Sequence, residues 1–146
     1  MTVSVVEVET KPVAVGSAKK KIALLGCGKM GTILLQALLE RVGPKPEARY
    51  VVFHCFDALS EGGDAYYESI DLDAATHEQT ILAYEMNDRT LPIEYGAPLR
   101  VRIERQLGYK MAKYIMRIEA VESFQHIAGG RGSYWADRNY EWYAGI

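Results

Sequence analysis

The 146-residue chain has little of what staples or anchors a small protein. Its two cysteines, Cys27 and Cys55, are too few for a disulfide framework and lack the paired spacing of a metal site. Three scattered histidines, His54, His77 and His126, make no zinc pattern. Charge of one sign is also missing: a net charge of −2 provides no global electrostatic ground for nucleic acid or an acidic membrane surface. No apolar run approaches the roughly 18 residues of a membrane span. The apolar stretch ahead of Cys27, residues 22–25, is far shorter than the roughly 7–15 residues of an export signal. These absences point to a cytoplasmic chain that folds as one domain or a piece of one. What is present, 49% hydrophobic and 25% charged residues, suits a packed core and excludes disordered, collagen-like and coiled-coil classes.

Residues 1–20 mix Val, Glu, Thr and Lys without helical period and read as a loose tail or an added edge strand. Residues 22–25 make a short apolar strand, followed at once by Gly26-Cys27-Gly28-Lys29-Met30-Gly31. Ile33, Leu34, Leu35, Leu38 and Leu39 then fall at helical spacing, and the helix stops at Val42-Gly43-Pro44. Residues 50–56 are β-branched and aromatic and predict a buried strand; residues 66–72 predict another. Farther on the period becomes two. Leu99, Val101 and Ile103 alternate with Arg100, Arg102 and Glu104, and Met116 and Ile118 alternate with Arg117 and Glu119. Such alternation predicts strands with one buried face. A glycine-rich loop, residues 129–132, precedes an aromatic tail holding Tyr134, Trp135, Tyr140, Trp142 and Tyr143, which reads as a flap sealing the core.

Two constellations could carry chemistry. The first is the strand, G-x-G-x-x-G, helix sequence, whose glycines Gly26, Gly28 and Gly31 would let a pyrophosphate approach a helix N-terminus. Residues 21–40 resemble the opening of pyrroline-5-carboxylate reductase, which makes NAD(P) the alternative cofactor and an NAD(P)-dependent reductase an alternative function. The acidic residue such a site wants is displaced, since Asp57 lies 26 positions beyond Gly31. The second is a basic segment, with Arg100, Arg102, Arg105, Lys110, Lys113 and Arg117 against the single acid Glu104. Forked guanidinium donors and lysine point charges suit a phosphate-bearing cofactor or an oxyanion, whereas alternation would leave some of them on a solvated face.

From residue 42 to the end the chain resembles the C-terminal part of the molybdopterin-binding domain of sulfite oxidase-type oxidoreductases. The resemblance is carried by Gly43-Pro44-Lys45-Pro46-Glu47-Ala48-Arg49-Tyr50-Val51-Val52-Phe53-His54-Cys55 and by Tyr66-Tyr67-Glu68-Ser69-Ile70-Asp71-Leu72. It continues through Leu82-Ala83-Tyr84-Glu85-Met86-Asn87, Gly96-Ala97-Pro98-Leu99-Arg100, Gln106-Leu107-Gly108-Tyr109-Lys110-Met111-Ala112-Lys113 and the closing Tyr140-Glu141-Trp142-Tyr143-Ala144-Gly145-Ile146.

The resemblance implies an α/β, α+β-like domain with a mixed sheet that holds a molybdenum cofactor through its pterin. It implies cofactor contacts at Cys55, Tyr95 and Arg100, with Met111, Ala112 and Lys113 forming a turn whose free N–H groups and lysine cup the pterin and its phosphate. Tyr95 stands where His or Asn is often found. Enzymes of this type hold molybdenum through a cysteine in a Cys-Val-Glu-Gly-Trp-like segment that this sequence does not contain, and neither Cys27 nor Cys55 has that context, so no metal ligand is assigned. The expected organisation is therefore composite: a tail over 1–20, a nucleotide-type strand, turn and helix over 21–41, and an incomplete molybdopterin domain over 42–146. The expected function is oxygen-atom transfer to or from a small oxyanion or sulfoxide by a truncated or rearranged chain. A small anionic or sulfur-containing substrate, an electron-transfer protein and a second copy of the chain are the expected partners. The other alternative is a cofactor-free remnant or interaction domain.

Overall fold

A computed structural model describes residues 4–7, 32–59 and 63–146. The expected strand over 22–25 and the glycine turn that follows lie outside these residues. In chain order the elements are β1 (Ser4–Glu7), β2 (Thr32–Leu34), α1 (Leu35–Val42), β3 (Tyr50–Ala58), β4 (Ala65–Asp71) and α2 (Leu72–Ala75). They continue with β5 (Thr80–Ala83), β6 (Glu85–Met86), β7 (Arg89–Thr90), β8 (Arg100–Ile103) and β9 (Ile115–Val121). One-turn 3-10 helices occupy Ile93–Tyr95, Gly108–Lys110 and Ala136–Arg138.

One sheet has the order β1-β9-β3-β4, a second the order β2-β5-β8, and β6 and β7 form a small hairpin. The fold is α/β in content, with short helices beside sheets. Where a mixed sheet was expected, every pairing among the described strands is antiparallel. The links β3–β4 and β6–β7 are shorter than the dozen or more residues that a parallel crossover needs.

Helix α1 follows from its sequence. Leu35, Leu38 and Leu39 are spaced to share one face and are buried, and Gly43, at φ 66°, closes the helix by donating its N–H to Leu39 O at 2.8 Å. Ile33 and Leu34, expected on the same helix, instead belong to β2, where Ile33 pairs with Leu82 and Leu34 with Ile81. A ladder to a distant strand here outweighs the local helical period. The core lies between the two sheets, with Val51, Phe53, Ile70, Leu82, Leu99, Val101, Ile103, Ile115 and Ile118 all essentially inaccessible.

The alternation expected around Met116 fails for an identifiable reason. His54 pairs with Arg117 but Cys55 pairs with Ile115, so Met116 is the extra residue of a β-bulge. The bulge turns Met116 outward, 47% exposed, and the buried positions of the strand are Ile115, Ile118, Glu119 and Val121. A second irregularity shifts the β3–β4 register between His54, which pairs with Tyr67, and Ala58, which pairs with Ala65. Both distortions fall where β3 delivers residues 55–57.

Candidate cofactor site

The segments that the sequence singled out are remote in the chain and adjacent in space. Four backbone hydrogen bonds lace them together. Phe56 N–H donates to Tyr114 O at 2.9 Å, Tyr114 N–H to Gly96 O at 3.1 Å, Ile115 N–H to Leu99 O at 2.9 Å, and Val101 N–H to Ala112 O at 2.9 Å. The end of β3, the turn over 95–100 and the segment 111–115 thus form one unit, so Cys55, Tyr95, Arg100, Met111, Ala112 and Lys113 gather around it.

Within that unit the individual residues differ in accessibility. Arg100 is partly buried and donates from Nη1 to Tyr95 O at 3.1 Å. Burial, then the neighbouring Arg102, pushes the Arg100 guanidinium below its ordinary value, which still leaves a cation. Lys113 is half-buried, and its aliphatic stem crosses Gly96: a Cβ on Gly96, whose φ is 109°, would stand 2.8 Å from Lys113 Cβ. Only glycine fits there. Neither Arg100 nor Lys113 pairs with a carboxylate among the described residues. Asp57 belongs to the same cluster. Its carboxyl is raised by burial against opposing effects of its own backbone N–H and of Lys113, and its Oδ1 is buried without a hydrogen-bond partner.

Cys55 is 2% exposed and part of the core. Burial, followed by the charges of Asp57 and Glu68, drives its thiol far above the usual cysteine range, as suits a neutral thiol packed in the core. Ala112 is likewise buried, Met111 is intermediate and Tyr95 is exposed. The expectation of free N–H groups over 111–113 needs correcting, because Met111 N–H already donates to Gly108 O at 3.0 Å and Ala112 N–H to Lys110 O at 3.2 Å. Two of the three N–H groups are thus taken within the turn, which leaves the Lys113 N–H and its ammonium as the donors it presents.

The basic segment also breaks up on folding. Lys110, 1% exposed, is buried against Glu68; Arg102 is bound to Glu104 at the surface; and Arg117 sits 3.2 Å from Glu119 Oε2. His54 Nε2 reaches the same oxygen at 2.8 Å. Sequence reading missed the Glu68–Lys110 pair and the Asp57 orphan. The available signal was Glu68 itself, an acid set in Tyr66-Tyr67-Glu68-Ser69-Ile70, where every neighbour proves buried. A shallow cleft elsewhere, lined by Asp71, Asp73, His77, Thr80, Arg105 and Gln106, contains none of the expected site residues. No His, Cys, Asp and Glu group among the described residues is arranged to hold a metal ion, and no described helix is long and apolar enough to cross a membrane.

His54 carries a prediction. Burial lowers its pKa below 6.5, with Arg117 assisting and the hydrogen bond to Glu119 opposing. A depressed folded-state value means stability that is present above the ordinary pKa and lost as pH falls through the folded one. Between about pH 7 and about pH 5 the wild type should therefore lose more melting temperature than His54→Gln. Parallel pH profiles of Tm for the two proteins would contradict this.

The family profile described as the oxidoreductase molybdopterin binding domain matches residues 6–126. The chain belongs to that family. The match of this molybdopterin-binding family runs through residues 21–40, the segment that resembles the reductase opening, and leaves the NAD(P) alternative without support. Gly26, Gly28 and Gly31 themselves lie outside the described residues.

Among similar proteins, a putative protein-methionine-sulfoxide reductase subunit, YedZ1, of Azospira oryzae is 36% identical over 118 residues, which is 81% of this chain and 40% of that protein. The protein-methionine-sulfoxide reductase catalytic subunit MsrP of Pseudomonas syringae pv. tomato is 34% identical over 72% of this chain and 36% of its own length. The chain thus spans well under half of these curated relatives. Among solved structures, the sulfane dehydrogenase SoxCD from Paracoccus pantotrophus aligns with a TM-score of 0.49 and 24% identity, covering 70% of this chain and 28% of that one.

The group this family binds has an anionic phosphate and a pterin edge rich in N–H donors. Arg100, held by Tyr95 O, and Lys113, lying across Gly96, are in no salt bridge among the described residues and fit the phosphate, and the unpartnered Asp57 Oδ1 fits a donor edge. Cys55, 2% exposed within the core, does not present its sulfur to a metal. The described residues therefore match the organic part of the cofactor.

Proposed function

We propose that this chain holds the pterin and phosphate of a molybdenum cofactor and serves an oxidoreductase that moves an oxygen atom to or from a sulfoxide or small oxyanion. The observation that carries this reading is the convergence of residues 55–57, 95–100 and 111–115 on one hydrogen-bonded unit with two cations in no salt bridge among the described residues. The two sulfoxide reductase relatives support the sulfoxide side.

In this reading Arg100 and Lys113 bind the phosphate, with Tyr95 O holding the guanidinium in place and Gly96 letting the lysine stem lie flat. Ala112 keeps the floor of the site apolar and excludes water. Tyr95 and Met111 border the pterin, Asp57 accepts from its donor edge, and Cys55 packs beneath as a neutral thiol. The bound molybdenum centre would supply two-electron oxygen-atom transfer, and an electron-transfer protein would restore it between turnovers.

The test is molybdenum by elemental analysis together with pterin fluorescence, on the full chain expressed in a cofactor-competent host. Near-stoichiometric metal and pterin are expected, followed by reduction of a methyl sulfoxide with an artificial electron donor. Absence of both metal and pterin overturns the reading and leaves the chain a cofactor-free interaction domain.

A further inference from the structure

Immediately before the cofactor segment 111–113 lies a lysine that the proposed site does not use. Lys110 ends the 3-10 turn Gly108–Lys110 and is buried, with its ammonium on Glu68 Oε1 and donating to Ser69 O at 2.8 Å. Glu68 Oε1 is itself held by the N–H of Ser69 at 2.8 Å, and the Trp142 ring centroid lies 5.1 Å from the ammonium. One residue earlier, Tyr66 Oη donates to Tyr109 O at 2.9 Å. All these anchors belong to β4, the edge strand of its sheet, or to the C-terminal segment that covers it.

A buried ammonium with two directed bonds tolerates little sliding. An apolar residue of the same size would fill the space as well and fix the register less sharply, because packing alone is not directional. The bonds fix Lys110, and Ala112 two residues later is fixed in turn by Val101 N–H. The stem of Lys113, one residue farther on, lies across Gly96. Anchors and site are thus joined by three residues of chain with no slack.

We propose that Glu68 and Lys110 are positioning residues: the buried pair clamps the turn to the β4 edge and so sets segment 111–113 in the geometry that receives the phosphate. This rests on the site proposed above and adds to it the element that places the site. Neither residue touches the cofactor.

The experiment compares wild type with Glu68→Gln, which keeps the shape and removes the charge. Amide hydrogen exchange is read on the full chain without cofactor, and the rate of pterin release on the loaded protein. Expected are faster exchange confined to residues 109–113, unchanged exchange in β3 and β9, and pterin release accelerated about 10–100-fold, the usual effect of losing a group that orients a ligand contact. Exchange that is unchanged at 109–113, or raised equally through β3 and β9, overturns the proposal. A loaded variant that releases pterin at the wild-type rate overturns it as well. Wild-type protein that never holds pterin overturns instead the site reading on which the proposal rests. Should Glu68→Gln fail to fold, the double variant Glu68→Gln with Lys110→Met, which removes both charges, carries the same comparison.

Discussion

Lys110→Ala is expected to destabilise the fold by about 3–5 kcal/mol at neutral pH, the cost typical of breaking a buried ion pair from one side. The reason is what remains. Glu68 is fully buried, and burial already raises its carboxyl to about 7 despite the opposing pull of Lys110. Remove the ammonium and that carboxyl has no counter-charge, so it must take up a proton or stay charged in an apolar setting, either at a cost.

The sign of the pH dependence follows. A carboxyl whose folded pKa is raised contributes stability that is present below its unfolded value and lost as pH rises through the folded one. Lys110→Ala should therefore be closer to wild type near pH 5 than near pH 8. Adding Glu68→Gln should recover part of the loss, since two neutral groups need no charge partner. Urea unfolding of the two single variants and of the Glu68→Gln, Lys110→Ala double variant measures this. Additive losses of under about 1 kcal/mol each would show that the pair is energetically idle.

The second large effect concerns the two free cations. Arg100→Ala and Lys113→Ala should each lower pterin affinity about tenfold, because a hydrogen bond to a charged group contributes about 1.5–3 kcal/mol. The two together should approach a hundredfold or complete loss of cofactor on purification. The melting temperature of the cofactor-free protein should hardly move, since neither side chain pairs with a carboxylate among the described residues. Arg102→Ala is the control. Its guanidinium is exposed and bound to Glu104, so its removal should leave occupancy unchanged. If Arg102→Ala lowered pterin content as much as Arg100→Ala, the basic segment would act only through its summed charge, and the assignment of individual residues would fall.

Much of the architecture was legible because its cause is local. The β-branched run in β3, the period of two in β8 and the leucine spacing of α1 closed by Gly43 each follow from a side-chain pattern that any chain of this composition would obey. The errors come from places where a distant strand set the outcome. Ile33 was drawn into β2 by β5, and Met116 was turned outward by a bulge that exists only because β3 and β9 meet with one residue to spare.

The site divides in the same way. Residue type and order were enough to single out Cys55, Tyr95, Arg100 and segment 111–113, through motifs whose resemblance to the molybdopterin family extends over most of the chain. Which of the basic residues remain available is a tertiary matter. Six of them crowd residues 100–117, and folding sends Lys110 inward to Glu68, Arg102 to Glu104, Arg117 to Glu119 and Arg105 to a separate cleft, leaving Arg100 on Tyr95 O and Lys113 across Gly96. By itself the sequence determined the strands, the helix, the family and the stock of cations. Only the tertiary structure decided which charges neutralise one another and which stay free for an anion, because ion pairing depends on separation in space, and partners such as Glu68 and Lys110 are 42 residues apart in the chain.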